Sequence, residues 1–379
     1  MTSSAPAARN AYIDTLRGWS IFGVVCVHFA GSFVTTDVHA WSPSFFLGLG
    51  LNQFFSFAVP LFVFLSGYLA GVSRRRPALG EYYLGRLTRI GLPYLLASLA
   101  SFFLLNHQEA WRALPGLGAK FTWLWQRLLF FGVEPTLYFI PLILQLYLLQ
   151  PALQALPGWL HRLLPAVPPA RHALALALAL LALHLALGLL CNSGRLNYYV
   201  WGRPNSLFWM FYFFCGLHFS VLTEVVPRRA VAVGTVTLLA TAAGAMGWNF
   251  LRLLDPAVVG LSFELNRLDF AYARPEMLVY DLAVVAALAA GIVAGRSPRP
   301  GAFSFLGRYT LEIYLWHILV LYFGAWRYPG ILAACRELPE VILLICAAAT
   351  AVIAGLAAGF ARARDFIRHH RVTVVETGG

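Results

Sequence analysis

The chain has 379 residues, 60% of them hydrophobic and 12% charged, with a mean hydropathy of +0.70. A soluble domain carries about 25% charged residues, so this composition excludes an ordinary soluble fold and predicts an all-α, polytopic helical bundle in the lipid bilayer. The net charge of +12 would suggest nucleic acid in a soluble protein; in a membrane protein it reports loop topology, and no nucleic-acid partner is expected.

About 20 apolar residues cross the hydrocarbon core as a helix. Such runs fall near 14–35, 45–71, 91–106, 136–156, 172–191, 205–223, 230–250, 276–295, 303–325 and 339–361. The first is not read as a cleavable signal. Arg17 interrupts it, it outruns a signal core of roughly 7–15 residues, and no small-residue cleavage site follows. The fifth, containing ALALALALLALHLALGLL, alternates like a strand, but its eighteen residues read as a helix. An apolar stretch at 121–133 is too short and interrupted to cross and is expected to lie half-buried outside.

Ten spans with the N-terminus inside place 16 basic and four acidic residues in cytoplasmic segments, against ten basic and nine acidic outside. That bias follows the positive-inside rule and predicts two cytoplasmic termini in a multi-pass protein of the cell membrane. Residues 1–365 read as one transmembrane domain, with 366–379 a short basic tail. The long external connections, 107–135 and 251–275, fit either solvated linkers with an aromatic belt or a lid or acceptor site. The five cysteines show no ligand spacing, so neither a metal nor a disulfide is expected.

The first run, YIDTLRGWSIFGVVCVHFAG, carries Asp14, Arg17 and His28. A charge at the bilayer centre costs roughly 2.5–3.5 kcal/mol or more. Eleven residues of helix place Arg17 and His28 on one face, about 16 Å apart along the axis, and Asp14 is close enough to pair with Arg17. Arg17 alone could snorkel to the cytoplasmic headgroups. His28 lies more than halfway across, where ionisable groups usually mark function.

The second span ends on Ser66 and Gly67 before Arg74, Arg75 and Arg76, with Arg86 and Arg89 close behind. Anionic lipid would explain these arginines, and so would a phosphorylated cytosolic ligand gripped by guanidinium forks. In the ninth run, LGRYTLEIYLWH, Arg308, Glu312 and His317 lie on one helix. His317 sits at a depth similar to His28, so the two histidines are expected to face one chamber. Arg308 and Glu312 are four apart and suit an ion pair.

These features together resemble the acyltransferase 3 family of integral membrane O-acyltransferases, from Tyr12 to about Ala361. The likeness rests on arginine, ten residues, then histidine (Arg17 to His28); on VPLFVFLSGYLAG at 59–71; and on the Arg-rich stretch to Pro93 and Tyr94. It rests also on LYFIPLILQLYLLQP at 137–151 and LGRYTLEIYLWH at 306–317. Some members have paired glutamates before a Gln and Tyr in the central helix. Here those places hold Ile143 and Leu144, while Gln145 and Tyr147 remain, so no role resting on the glutamates carries over.

The resemblance implies transfer of an acyl group, most often acetyl, from acetyl-CoA or another acyl-CoA to a hydroxyl. The acceptor would be an envelope glycan, a lipid-linked sugar or a small hydroxylated molecule. By position, His28 is expected to be the general base, with Arg17, Asp14 and His317 in the catalytic set. Arg74, Arg75, Arg76, Arg86, Arg89 and Ser66 are expected to bind the donor. Acetyl, succinyl and longer groups all fit, as do direct transfer and an acyl-histidine intermediate. A flippase or exporter of a lipid-linked glycan is the alternative, weakened by the lack of an inverted repeat of broken helices.

Overall fold

The structure, a computed structural model, describes residues 10–36, 42–73, 77–224, 227–254, 271–296 and 299–376. Arg74, Arg75 and Arg76 therefore lie outside the described residues. Of the described residues 86% are helical, in eighteen α-helices and a few short 3-10 and π turns, with no strand among them. This follows from the composition, because lipid offers no partner to backbone N–H and C=O groups and a helix satisfies them internally.

Helix α1 (Ala11–Thr36) runs through the centre of the bundle. Ser42 caps α2 (Pro43–Phe54), its Oγ accepting from Phe45 N at 3.1 Å, and a 3-10 turn leads into α3 (Ala58–Val72). Helix α4 (Leu79–Arg86) continues through a π turn at Leu87–Gly91 into α5 (Leu92–Leu104). The short α6 (His107–Arg112) and α7 (Gly116–Gln126) precede the long α8 (Phe139–Leu163) and α9 (Pro169–Asn192). Next come α10 (Tyr198–Trp201), α11 (Ser206–Leu217), α12 (Phe219–Thr223), α13 (Arg228–Leu253) and α14 (Pro275–Val293). The chain closes with α15 (Ala302–Leu306), α16 (Thr310–Leu321), α17 (Pro329–Glu337) and α18 (Glu340–Glu376).

Eight helical segments are long and apolar enough to cross a membrane: Ala11–Val34, Pro43–Val72, Leu79–Leu104, Pro135–Leu163, Pro169–Asn192, Ala230–Leu253, Pro275–Val293 and Glu340–Ala363. The two other expected runs differ. The ninth is a pair, Thr310–Trp326 and Pro329–Glu337, bent by 86°. The sixth, Ser206–Leu217, has 12 residues, about 18 Å of helix against a core of about 30 Å. Its Phe208, Trp209, Phe213 and Phe214 are nevertheless fully buried, because protein surrounds it. The 121–133 stretch forms the end of α7 and a π turn at Arg127–Phe131. It is part-buried: six of its residues are exposed, five are intermediate, and Gly132 and Val133 are buried.

Close helix contact is set by small residues, as expected where lipid removes the hydrophobic drive between helices. Gly67 and Gly71 on α3 form a GxxxG face against α11. A Cβ on Gly67 would overlap Phe213 O, and one on Gly216 would overlap Phe64 O. Helix α13, by contrast, packs on α14 and leaves most of its side chains on the outside of the bundle.

Candidate active site

Two sequence signals from opposite ends of the chain lie against each other. Gly18 and Gly307 bring the backbones together: a Cβ on Gly18 would overlap Phe303 O, and one on Gly307 would overlap Asp14 O. One turn on, Arg17 Nη2 donates to Thr310 Oγ1 at 2.5 Å, while Nη1 lies 3.8 Å from Asp14 Oδ1. Further along, the rings of His28 and His317 stand 5.2 Å apart, tilted by 31°. Beyond them Trp326 Nε1 donates to Ser32 Oγ at 3.4 Å. From Arg17–Thr310 through His28–His317 to Ser32–Trp326 the partners rise together in number, so α1 and α16 run parallel and the two histidines come to one level. They do not both face one chamber as expected: His28 lines cavities there, whereas His317 is packed behind it and lines none of those described below.

His317 is fully buried. Its Nδ1 lies 2.7 Å from Tyr314 O; a carbonyl only accepts, so Nδ1 carries the proton and the neutral ring holds its lone pair on Nε2. That Nε2 has no hydrogen-bond partner among the described residues, and neither does the buried Thr136 Oγ1. Thr136 and His28 both line the same two cavities. Unpaired buried polar groups are rare and costly, and here two of them gather around one histidine.

Four cavities stand in series. One of about 740 Å³ is lined by Tyr82, Arg86, Arg89 and Gln150. It shares Arg86 and Arg89 with a second, of about 400 Å³, which Arg17, Ser66 and Thr310 also line. Phe139 and Tyr314 are common to the second and a third, of about 250 Å³, which holds His28, Asn52, Ser56 and Arg203. His28 and Thr136 then border a fourth, of about 330 Å³, with His107, Glu134, Tyr322 and Trp326. Arginines thus line one end of the series, and His28 stands at its last junction.

Residues 10–360 match the family described as "Acyltransferase domain" (Acyl_transf_3), nearly the whole chain. The chain belongs to this acyltransferase family. With its apolar helices, it is a multi-pass membrane protein. It is similar to the "Glucans biosynthesis protein C" of Salmonella paratyphi B, Salmonella heidelberg and Salmonella agona. Each is 28% identical over 134 residues, 33% of this chain and 35% of the relative. The match thus spans about a third of the length of these curated relatives. No solved structure matches the chain.

Of the expected donor-binding residues in this acyltransferase, Ser66, Arg86 and Arg89 share one cavity with Arg17. Arg74, Arg75 and Arg76 fall outside the described residues. Arg86 stacks 4.0 Å over the Tyr147 ring and 5.2 Å from that of Tyr82. Tyr82 in turn donates to Gln150 Oε1 at 2.6 Å. Gln145 is a structural clip: its Nε2 donates to Leu129 O at 3.1 Å and its Oε1 accepts from Ser206 N at 3.3 Å. Ile143 lines the Arg17 cavity. Arg308 and Glu312 do not form the expected ion pair; Arg308 is exposed, while Glu312 lies in a groove with Trp316 and Phe360. Among the described residues, no three His, Cys, Asp or Glu side chains gather as metal ligands would.

The structure also brings in residues that the sequence reading passed over. Arg203, from the turn after α10, lies 4.2 Å over the Tyr138 ring and lines the His28 chamber. Turn residues with Gly and Pro neighbours look like ordinary loop, so nothing local marked it. Asp281 on α14 is 2% exposed and accepts from Ser56 Oγ at 2.7 Å. As the carboxylate inside an apolar run, Asp281 did carry a signal. A buried polar layer joins Arg274 to Asn249 Oδ1 at 2.7 Å and to Gln53 Oε1 at 2.5 Å, with Glu276 3.9 Å away.

Proposed function

We propose that the protein is a membrane O-acyltransferase. It moves an acyl group, acetyl in the simplest case, from cytosolic acyl-CoA to a hydroxyl of an envelope glycan or lipid-linked sugar. The observation that carries this reading is the contact of His28 with His317 at a junction of cavities whose other end is lined with arginines. With the arginine end cytoplasmic, as the charge bias predicts, Arg86, Arg89 and Arg17 would grip donor phosphates through charge-assisted bonds. The pantetheine arm would then cover the roughly 16 Å of helix between Arg17 and His28. The partial likeness to glucan biosynthesis proteins supports a carbohydrate acceptor.

The chemistry follows from the groups present. A neutral His28 takes the proton of the acceptor hydroxyl as its oxygen attacks the thioester carbonyl. The Thr136 hydroxyl, buried and unpartnered, supplies a hydrogen bond to the developing oxyanion. The carbon–sulfur bond breaks, the ester is released, and the proton on His28 passes to the thiolate to give free coenzyme A. His317, held through Nδ1 by Tyr314 O, packs 5.2 Å from the His28 ring and limits how that ring can turn.

The test uses the full chain in lipid nanodiscs with radiolabelled acetyl-CoA and laminarihexaose, a soluble glucan. Wild type is expected to move label to the glucan and His28→Ala to do so far more slowly. If wild type binds no acetyl-CoA and transfers nothing, the reading fails. Export of glycan that stops on deletion while envelope O-acylation is unchanged would favour transport instead.

A further inference from the structure

The cavity beyond His28 has a make-up that the acyl donor does not account for. Residues Tyr322–Trp326 leave the α-helical path in a π turn, directly after α16 and before the 86° bend. π turns inside helices are rare and frequent at functional sites. This one presents Tyr322 and Trp326 to the same cavity that His28 lines. The indole is held in place: its Nε1 bonds Ser32 Oγ at 3.4 Å, and the ring lies 6.0 Å from that of Phe29. Trp326 also packs on the core of the bundle, so the ring is anchored where it borders the cavity.

Glu134 and His107 line the same cavity, and their side chains keep 15% and 24% exposure. His107 Nε2 and Glu134 Oε2 are 2.9 Å apart. Two special backbone positions aim them there. Asn106 takes the left-handed conformation, φ 60°, and turns the chain into α6; asparagine tolerates this better than most residues. Gly132, at φ 76°, folds the chain so tightly that a Cβ would come within 2.5 Å of Glu134 O. The Glu134 Oε1 has no hydrogen-bond partner among the described residues. No arginine or lysine lines this cavity, so it does not suit a phosphate or an anionic sugar.

We infer that this vestibule is the acceptor subsite and that it recognises a neutral hexopyranose ring. The inference rests on the acyl-transfer reading above and adds the residues that select the acceptor. The apolar C–H face of a pyranose packs on an indole, and neighbouring ring hydroxyls donate to a carboxylate as charge-assisted bonds. With the ring on Trp326 and two hydroxyls on Glu134, a further hydroxyl of the same or the adjoining sugar reaches His28 across the shared wall. Acyclic alcohols offer no flat face to the indole and gain nothing from it. Trp326 and Glu134 therefore act in binding, and their substitution changes which alcohol is chosen.

The experiment measures selectivity. The full chain in nanodiscs receives labelled acetyl-CoA and either laminarihexaose or glycerol, and kcat/KM is taken for each acceptor. Trp326→Leu and Glu134→Gln are each expected to lower the laminarihexaose-to-glycerol ratio about ten- to a hundred-fold, the size of one lost charge-assisted bond or stacking contact. Trp326→Phe should recover much of the ratio. An unchanged ratio in both variants overturns the inference, whether rates on the two acceptors fall together or stay at wild-type values. A wild type that labels neither acceptor overturns the acyl-transfer reading, and this inference falls with it.

Discussion

The imidazoles of His28 and His317 stand 5.2 Å apart although they come from opposite ends of the chain. Their surroundings divide the work between them. His28 borders two cavities, whereas His317 is fully buried and tied through Nδ1 to Tyr314 O. Of the two, His28 is the one that borders these cavities, so the proposed base is His28. His28→Ala is therefore expected to lower kcat by about 10²- to 10⁴-fold, the usual worth of a general base, with acetyl-CoA binding retained. His317→Ala should cost less, because it removes an orienting partner. Single-turnover transfer alongside equilibrium binding of the donor measures both; a His28→Ala enzyme at more than a tenth of wild-type rate would contradict the assignment.

In the proposed reaction, distance from the arginines matters as much as identity. Val24 lies one turn before His28 and lines the same chamber, so the double variant Val24→His with His28→Val keeps an imidazole in that cavity. It moves the base about 6 Å toward Arg17 and away from His317. Activity is expected to fall nearly as far as in His28→Ala. Survival of most of the activity would mean that the arginine-to-histidine spacing is not a ruler for the donor.

The Arg17–Thr310 bond, at 2.5 Å, fixes a guanidinium that has carbon-chain freedom in several directions. Thr310→Val keeps the side-chain shape and removes the acceptor oxygen. A hydrogen bond to a charged group contributes about 1.5–3 kcal/mol, but Arg17 can rebond to water in the cavity, so KM for acetyl-CoA is expected to rise only about three- to ten-fold. Thr310→Ser should restore it. A change in kcat with no change in KM would place Thr310 in chemistry instead of donor positioning.

Much of this site was readable in the sequence, for a physical reason. Lipid penalises charge so heavily that Arg17, His28 and His317 stood out without any structure, and helical spacing put the first two on one face. The nearness of α1 and α16 was readable in part, since similar depth put the two histidines at one level; that they pack ring on ring, with only His28 lining a cavity, was not. Thr310 and Thr136 were not, because a threonine in an apolar helix commonly bonds its own backbone and signals nothing. Arg203 was hidden as a loop residue. The short α11 was read as a full crossing since hydropathy does not tell lipid from buried protein. The Arg308–Glu312 pair failed because spacing permits contact without enforcing it, and exposed pairs gain little.

Glycines at helix contacts make a separate, structural prediction. Gly307→Ala would push a methyl group into Asp14 O, and Gly67→Ala one into Phe213 O. Backbone cannot yield as a side chain can, so each is expected to destabilise the bundle by about 1–3 kcal/mol, the usual cost of overpacking. Thermal unfolding in a fixed detergent reads it. Gly307→Ala should also raise the acetyl-CoA KM, because it displaces the start of α16, and Gly67→Ala should not. Equal effects on KM would show that the two contacts are not separable.

The wall between the arginine-lined cavity and the His28 chamber consists of Phe139 and Tyr314, the two residues that line both. Their rings meet edge-on at 5.6 Å. Tyr314 is pinned, its hydroxyl accepting from Phe139 N at 3.2 Å and donating to Thr136 O. The Phe139 side chain has no such tie, so it is the part able to swing aside as a thioester passes. Phe139→Leu, smaller but still apolar, is expected to leave a gap through which water crosses with the donor. Acetyl-CoA hydrolysis without acceptor should then rise relative to transfer by about three- to ten-fold, some 0.7–1.4 kcal/mol of lost discrimination. Release of free coenzyme A, followed with a thiol reagent in the presence and absence of laminarihexaose, gives the ratio. If hydrolysis and transfer keep their wild-type ratio, the donor reaches His28 by another path and Phe139 is only packing.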